Sequence, residues 1–425
     1  MMADFYTSVT LDAKRCKGCI NCIKRCPTEA IRVRKGKAVI TREKCVDCGE
    51  CIRICPAHAK QSMYTKFEDI NKYEYKIALP DQALYGQFNN LSDVNIVLTG
   101  LKQLGFDYVF ETAAAAEYQT LKMKSYIEEH KDKWPLISAE CPAVVRLISI
   151  RFPSLIEHIM PFISSMELAA YEARRRAMQT TGLPAEKIGV FAISPCPAKV
   201  TSMVLPLGIE KTGIDGVLAI KEIYPRLLNA MSEIQYKVED LSIAGRAGIR
   251  WGSTSGQAVG VTKEAYIAAD GIENVMEVLE ELEGEKLHKL KFVELNACNG
   301  GCVGGALNVE NPFIARAKLQ TLRANMPEFK NSMDINDAEL ANKTMWQKEM
   351  DYKPVFRLGE NIAESISLRA KVDELEKKFP GYDCGGCGAP SCRAYAQDIV
   401  RGIVKRTECP LIDSFKIMED DNESN

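Results

Sequence analysis

The sequence lacks three features that would place it in a specialised class of proteins. Its formal net charge is only −2, so no excess of one sign favours nucleic acid or an anionic membrane as a partner. No apolar stretch reaches the roughly 18 residues that a membrane-spanning helix needs. The first residues lack the apolar core of a secretory signal. We therefore expect a cytoplasmic protein that acts without nucleic acid or membrane.

Cysteine, by contrast, is abundant. The chain contains 16 cysteines in 425 residues, within an ordinary globular composition of 46% hydrophobic and 26% charged residues. Disulfides are disfavoured in a reducing compartment, where cysteine-rich chains more often bind metal or carry out redox chemistry. One group of cysteines lies between Cys16 and Cys55, a second is scattered through the middle of the chain, and a third lies between Cys384 and Cys409. This distribution predicts three regions, at residues 1–75, 76–360 and 361–425.

The first region contains an internal repeat, which indicates two copies of one small structural unit. The copies are CKGCINCIKRCPTEAI, beginning at Cys16, and CVDCGECIRICPAHAK, beginning at Cys45. Both match C-x2-C-x2-C-x3-C-P, a bacterial ferredoxin pattern in which the fourth cysteine of each copy binds the other cluster. We predict an α+β ferredoxin-like domain with two [4Fe-4S] clusters, since a tandem repeat argues against zinc or buried free thiols. One cluster is assigned to Cys16, Cys19, Cys22 and Cys55, and the other to Cys45, Cys48, Cys51 and Cys26.

The third region predicts a small, mostly helical domain that binds one more cluster. A helical pattern over 362–379 ends at Pro380-Gly381, and the glycine-rich segment DCGGCGAPSC follows. We expect a second helix over 389–404 and a disordered acidic tail, EDDNESN. The segment resembles the single [4Fe-4S] domain of Rnf-type electron-transfer subunits and of corrinoid iron–sulfur proteins, with a zinc knuckle as the alternative. Its assigned ligands are Cys384, Cys387, Cys392 and Cys409.

The middle region alternates short apolar runs with longer helical patterns, which favours an α/β fold with parallel sheets. The predicted strands are YKIAL, DYVF, LIS, IGVFAI, GVLAI and FVEL, and helices are expected over 117–130 and 166–180. Cys141, Cys196 and Cys298 each follow one of these strands, and ligands in open α/β sheets bind beyond the carboxyl ends of strands. Together with Cys302, they could hold one cluster. Taken singly, each is more often a buried core cysteine.

A family resemblance sharpens this interpretation. The segments SAECPAVVR, SPCPAKV and VELNACNGGCVGGA resemble the signature segments of [FeFe]-hydrogenases, whose patterns are TSCCP, MPCxxK and ExMxCxxGCxxGG. The resemblance implies a two-lobed α/β domain that holds an H-cluster, which is a [4Fe-4S] cubane joined to a di-iron unit carrying CO, CN⁻ and azadithiolate. Cys141, Cys196, Cys298 and Cys302 would hold the cubane, and Cys302 would bridge to the di-iron unit. Lys199 would lie near a cyanide ligand.

The sequence departs from the family patterns at three positions beside these ligands. Glu140 replaces the cysteine that would relay protons, while Ser194 and Asn296 replace methionines and should alter hydrogen bonding around the di-iron unit. With the extra carboxy-terminal domain, this pattern resembles the sensory branch of the family, often called group D. Glu140 is a candidate proton carrier, with Glu117 and Glu167 as candidate next stations; the alternative is that Glu140 only fills space.

The resemblance implies slow, sensory interconversion of H2 with protons and electrons. Three accessory [4Fe-4S] clusters would relay the electrons to a redox partner such as a ferredoxin or a signalling protein. One alternative is a non-catalytic electron-transfer or sensing module that lacks the di-iron unit. Another is a subunit of a larger redox complex that docks through the carboxy-terminal domain.

Overall fold

The computed structural model describes residues 5–234, 237–404 and 409–411, so the predicted disorder of the acidic tail lies outside the described residues. The chain divides into two compact units. The larger unit consists of Met63–Tyr352 with Val46–Gly49 and the segment ending at Ser8, and the smaller consists of Val9–Cys45, Glu50–Ser62 and the chain from Lys353 onwards. Most of the first sequence region and the described part of the third thus share the smaller unit, whereas the segment ending at Ser8 and residues 46–49 and 63–75 of the first region belong to the larger one. Within the described part of the chain, no helix combines the length and apolarity needed to cross a membrane.

The strands are short, and the helices vary from one turn to five. In chain order, the strands are β1 Val9–Leu11, β2 Ile31–Arg34, β3 Lys37–Ile40, β4 Lys60–Ser62, β5 Tyr75–Pro80, β6 Tyr108–Val109, β7 Leu136–Ile137, β8 Ile188–Ser194, β9 Gly216–Ala219, β10 Tyr266–Asp270 and β11 Phe292–Asn296. The α-helices are α1 Asn21–Lys24, α2 Glu50–Arg53, α3 Val94–Gln103, α4 Thr112–Glu129, α5 Pro142–Arg151, α6 Ser165–Thr181, α7 Pro197–Val204, α8 Ile220–Glu233, α9 Arg246–Ile249, α10 Gly256–Val261, α11 Ile272–Glu283, α12 Pro312–Arg323, α13 Ala338–Thr344, α14 Ile362–Glu376 and α15 Cys392–Val400.

The larger unit contains two parallel sheets, each packed in its own hydrophobic core. The four-stranded sheet has the order β6-β5-β8-β9, and the three-stranded sheet has the order β10-β11-β7. Every residue of β8 is buried, because a strand covered on both faces needs a continuous apolar run. Separate cores surround Val190 of the first sheet and Phe292 of the second. This is the predicted two-lobed α/β architecture.

All six strands predicted in this region are present, whereas β10 was missed. Every residue of β10 is only half-buried, since the strand lies at the edge of its sheet, and its sequence YIAAD has no strong apolar run. The predicted helices correspond to α4 and α6. Small residues at the start of α4 permit a close approach of α9, where a Cβ on Gly248 would lie 1.9 Å from the Ala113 carbonyl oxygen.

In the smaller unit, the sequence repeat is reproduced in the backbone. Glu29 and His58, at equivalent positions after the two CP dipeptides, both adopt positive φ angles of 49° and 48°. Strands β1 and β4 pair antiparallel, as do β2 and β3. The carboxy-terminal part is helical, as predicted: α15 begins at a Ser391 cap and ends before Gly402, whose φ is +71°. His58 is exposed, in agreement with a surface residue.

Candidate metal centre

The central cysteines lie where parallel strands end. Cys298 follows β11 and Cys141 follows β7, and these strands are parallel neighbours in the three-stranded sheet. Cys196 follows β8 of the four-stranded sheet and caps α7. Cys302 begins a 3-10 turn directly after Gly301. Because parallel strands direct their carboxyl ends to one edge of a sheet, the topology brings cysteines distant in sequence to one place.

Electrostatics show that these four thiols are neighbours. Burial raises the pKa of Cys196 to about 12, with Lys199 opposing the rise and Cys298 and Cys141 adding to it. Burial likewise raises the pKa of Cys302 well above its usual range, and Cys196 and Cys141 contribute. Thiolates so close together in a dry site are costly without a cation to offset their charge. The set therefore fits an iron cluster, which takes up the thiolates as its ligands.

Glycines bring the Cys302 loop close to its neighbours. A Cβ on Gly301 would lie 2.6 Å from the Thr254 backbone nitrogen, and φ there is +88°. A Cβ on Gly305 would lie 2.3 Å from the carbonyl oxygen of Pro195, the residue before Cys196. Gly301 is thus required by the close approach of the Thr254 backbone, and Gly305 by the close approach between the Cys302 and Cys196 loops.

A buried ion-pair group lies beside the four cysteines. The Lys199 ammonium bonds Asp81 Oδ2 at 2.6 Å and lies 3.8 Å from Glu140 Oε1. The side chains of Lys199 and Asp81 are only 3% and 5% exposed. Burial lowers the pKa of Lys199, but the charges of Asp81, Cys302 and Glu140 outweigh it, so the pKa lies well above its usual range. Lys199 is therefore a fixed cation in this site.

Asp81 was missed by the sequence analysis, although a signal was present. It directly follows β5, whose neighbour β8 leads to Cys196, so the strand-end argument applied to the cysteines would also have found it. Its other carboxylate oxygen accepts from the Ala83 N–H and caps the turn Gln82–Gln87. Asp81 is thereby held in place by the backbone while it binds Lys199.

Glu140 is held at the start of α6. The backbone N–H of Ser165 donates to Glu140 Oε2 at 2.9 Å, and the Ser165 hydroxyl donates to Oε1 at 2.8 Å. Burial raises the pKa of Glu140, against the opposing effects of Lys199 and Ser165. The Glu140 side chain is 16% exposed, compared with 3% for Lys199. Its contacts make Ser165 and Lys199 its immediate partners.

Glu117 and Glu167, the candidate next groups on a proton path from Glu140, accept hydrogen bonds from other parts of the chain. Glu117 accepts backbone N–H groups from Gly245, Lys330 and Asn331 at 2.6–2.7 Å. Glu167 accepts from the Thr212 hydroxyl and the Gly213 N–H. These bonds give both carboxylates a loop-fixing role, and a path from Glu140 through either one stays a prediction.

Ser194 and Asn296 make polar contacts at the ends of their strands. The Cys196 N–H donates to Ser194 Oγ at 3.3 Å. Asn296 donates to Glu294 Oε1 at 2.9 Å, and the Ala258 N–H donates to Glu294 Oε2 at 2.7 Å. Burial raises the pKa of Glu294 to about 7. The polar substitutions noted in the sequence thus create hydrogen bonds that methionine could not make.

The first ferredoxin quartet is also assembled. Burial raises the pKa of Cys22 to about 11, and the thiols whose charges add to the rise are Cys19, Cys55 and Cys16. These are the cysteines assigned to one cluster from spacing alone. Cys26 Sγ accepts the Ala30 N–H and Cys55 Sγ accepts the Ala59 N–H, both at 3.2 Å. These two hydrogen bonds occupy equivalent positions in the sequence repeat.

The carboxy-terminal quartet lines one small cavity. Its lining includes Cys384, Cys387, Cys392 and Cys409. Burial raises the pKa of Cys387, and the charges of Cys409 and Cys384 add to the rise. Among the described residues, no three His, Cys, Asp or Glu side chains converge on a single ion. A cubane is larger than an ion and takes one thiolate at each of its four irons.

Family models match all three regions. The model described as iron only hydrogenase large subunit, C-terminal domain, matches residues 82–266 and 256–306, more than half of the chain. The chain belongs to the [FeFe]-hydrogenase family. A 4Fe-4S dicluster domain model matches residues 8–56, and an Fe-S cluster domain model matches residues 379–411. The family resemblance and the iron–sulfur character of this hydrogenase homologue are therefore confirmed.

Two known hydrogenases are similar to this chain at low sequence identity. Iron hydrogenase 1 of Clostridium pasteurianum is 23% identical over 279 residues, which are 54% of this chain and 48% of that protein. The NADP-reducing hydrogenase subunit HndD of Solidesulfovibrio fructosivorans is 23% identical over 261 residues, 48% of this chain and 44% of that protein. The chain thus spans about half the length of the curated relatives it matches.

A solved structure supports the fold assignment. A variant of the [FeFe]-hydrogenase HydA1 from Chlamydomonas reinhardtii aligns with a TM-score of 0.50 and 14% identity, covering 68% of this chain and 97% of that structure. The predicted fold class, an α/β hydrogenase domain with a ferredoxin-like domain and a helical carboxy-terminal part, is confirmed.

Iron analysis tests the ligand assignments directly. If all 16 cysteines are ligands, four cubanes result, and anaerobically reconstituted protein should contain about 16 iron and 16 sulfide per chain. Cys384→Ala should lower both values to about 12, because the carboxy-terminal cavity loses a corner of its cluster. A parent value near 12 that Cys384→Ala leaves unchanged would contradict the carboxy-terminal assignment.

Proposed function

We propose that this chain is an iron-only hydrogenase of the sensory type, which slowly interconverts H2 with protons and electrons. The observation that carries the proposal is the juxtaposition of four cysteines from three strand ends with a buried lysine cation. A cubane alone would need only the thiolates. A fixed ammonium next to Cys302 suits an additional anionic group.

The cofactors proposed are an H-cluster and three accessory [4Fe-4S] clusters. Bound at the central site, the H-cluster would supply the iron chemistry that makes and splits H2. Cys141, Cys196, Cys298 and Cys302 would hold it, with Cys302 shared between the cubane and the di-iron unit. The remaining cysteines would hold the accessory clusters in the ligand sets assigned from the sequence, and a ferredoxin or a signalling protein would exchange electrons with them.

Lys199 would hold the anionic diatomic ligands of the di-iron unit. Its ammonium has three donors, and Asp81 accepts one of them. The remaining donors can face a ligand while Asp81 and Glu140 fix the side chain. This shared use of the cation moderates its attraction for a bound anion.

Glu140 would carry protons between the central site and the surface. Its position supports the role, since Oε1 contacts both the Lys199 ammonium and the Ser165 hydroxyl, and the side chain is partly exposed. A hydroxyl that donates to a carboxylate oxygen can pass a proton onward after rotation. Ser194 and Asn296 would adjust the hydrogen bonding around the cofactor.

The second candidate function is a non-catalytic electron-transfer or sensing module that binds a cubane without the di-iron unit. The buried Lys199–Asp81 ion pair favours it, because this lysine is already neutralised without any bound ligand. The two functions differ in whether Cys302 supports hydrogen chemistry.

A hydrogen assay with a Cys302 variant separates them. Anaerobically reconstituted protein that has been given the di-iron unit should oxidise H2 slowly with a viologen dye. Cys302→Ser should abolish this activity, because the substitution removes the shared ligand. Cys384→Ala is the matched control and should keep it, since the dye can accept electrons from other clusters. Full turnover by Cys302→Ser would refute the H-cluster assignment.

The proposed role of Glu140 predicts a ranking of substitutions. Positioned proton carriers contribute about 10²–10⁴-fold to rates, so Glu140→Gln and Glu140→Ala should lower H2 oxidation at least tenfold. Glu140→Cys should retain or exceed the parent rate, because a thiol can also relay protons. The rates are compared across pH, where a carrier changes the profile and a space-filling residue does not. If Glu140→Gln matches the parent at every pH, the proton path lies elsewhere.

A further inference from the structure

The carboxy-terminal cluster loop contacts the amino-terminal ferredoxin fold within the smaller unit. The backbone N–H of Val33, in β2, donates to the Gly388 carbonyl oxygen at 2.8 Å. A Cβ on Gly388 would lie 2.1 Å from the Val33 carbonyl oxygen, and φ there is +78°, so only glycine fits this approach. The two chain segments are more than 350 residues apart in sequence, yet they bond backbone to backbone.

A buried acid on α15 stabilises this contact through two ion pairs. Asp398 has a side chain that is only 7% exposed, and Arg32 Nε lies 2.8 Å from its Oδ2. Arg34 pairs with the same oxygen and also donates to the Cys387 carbonyl oxygen at 3.2 Å. Arg32 and Arg34 lie on one face of β2, because alternate residues of a strand point the same way. Two arginines on one buried carboxylate form a clamp that depends on the acid's charge.

The two cluster-binding loops also touch. Lys24, at the end of α1, donates to the carbonyl oxygens of Asp383 and Pro390 at 2.6 and 2.9 Å. A Cβ on Gly385 would lie 3.3 Å from the side chain of Ile20. Ile20 lies between Cys19 and Cys22, and Gly385 lies between Cys384 and Cys387. The loops that hold the two cysteine quartets therefore pack against each other.

We propose that Asp398 is a positioning residue that docks the carboxy-terminal cluster loop on the first ferredoxin loop, so that the two quartets bind a coupled pair of clusters. The inference rests on the proposed cluster assignments. Bound there, the two clusters would exchange one electron, with no bond made or broken and no proton required. The carboxy-terminal cluster then communicates with the chain through the cluster at Cys16, Cys19, Cys22 and Cys55.

Electron paramagnetic resonance of the full chain tests the docking. In dithionite-reduced, reconstituted protein, the two paramagnetic clusters should broaden and split each other's signals. Without coupling, the spectra of the parent and of the double variant Cys22→Ala/Cys384→Ala would add up to the same total as the spectra of Cys384→Ala and Cys22→Ala, because each cluster is then counted equally in both sums. With coupling, the two sums should differ. Asp398→Asn should reduce the splitting while leaving iron at about 16 per chain, and Asp398→Glu should restore it in part.

A matched acid provides the control. Asp373 also pairs with an arginine, Arg393, but both lie within the carboxy-terminal part, so Asp373→Asn should leave the splitting unchanged. If Asp398→Asn fails to fold, Lys24→Gln removes two bonds from the exposed rim of the same contact and should weaken the splitting. A parent with about 16 iron for which the two sums of spectra are equal overturns the docking alone. If Cys384→Ala contains as much iron as the parent, the cluster assignment and the docking are overturned together.

Discussion

The structure depends on one electrostatic constraint, the burial of four thiols where two parallel sheets end. Burial and neighbouring charges raise the pKa of Cys196 and Cys302, and a cationic cluster would offset the charge of such thiolates. The parallel strands bring the cysteines together, and the glycines around Cys302 allow its loop to approach the neighbouring backbone closely. Lys199 supplies a fixed positive charge. The same logic, on a smaller scale, assembles the quartets at both ends of the chain.

Much of this could be predicted from the sequence, for identifiable reasons. The ferredoxin pattern predicts the grouping of Cys22 with Cys16, Cys19 and Cys55, and in the structure the charges of these three thiols act on Cys22. Buried parallel strands such as β8 are continuous apolar runs and were found, whereas β10 is a half-buried edge strand with a weak pattern. The convergence of Cys141, Cys196 and Cys298 was predicted from their positions at strand ends. The inclusion of Cys302 in the same site rested on the family resemblance.

What could not be predicted depends on pairs of residues far apart in sequence. No local pattern links Asp81 to Lys199, or Asp398 to Arg32, so neither ion pair could be predicted, although the position of Asp81 at a strand end marked that residue as a candidate. Asp81 and Glu140 surround the lysine with negative charge, and this is the main respect in which the site departs from a bare set of signature residues. Asp81 and Glu140 would adjust how strongly the lysine holds an anionic ligand.

The central claim is that the buried site holds a di-iron unit as well as a cubane. The most direct measurement is an infrared spectrum of anaerobically reconstituted protein after incubation with the di-iron unit and removal of the excess. Our account predicts bands from iron-bound CO and CN⁻ that remain with the protein, and a shift of the CN⁻ bands in Lys199→Ala, which lacks the ammonium. A protein that carries its full complement of iron–sulfur clusters but retains no CO or CN⁻ bands would contradict the claim and favour a non-catalytic module.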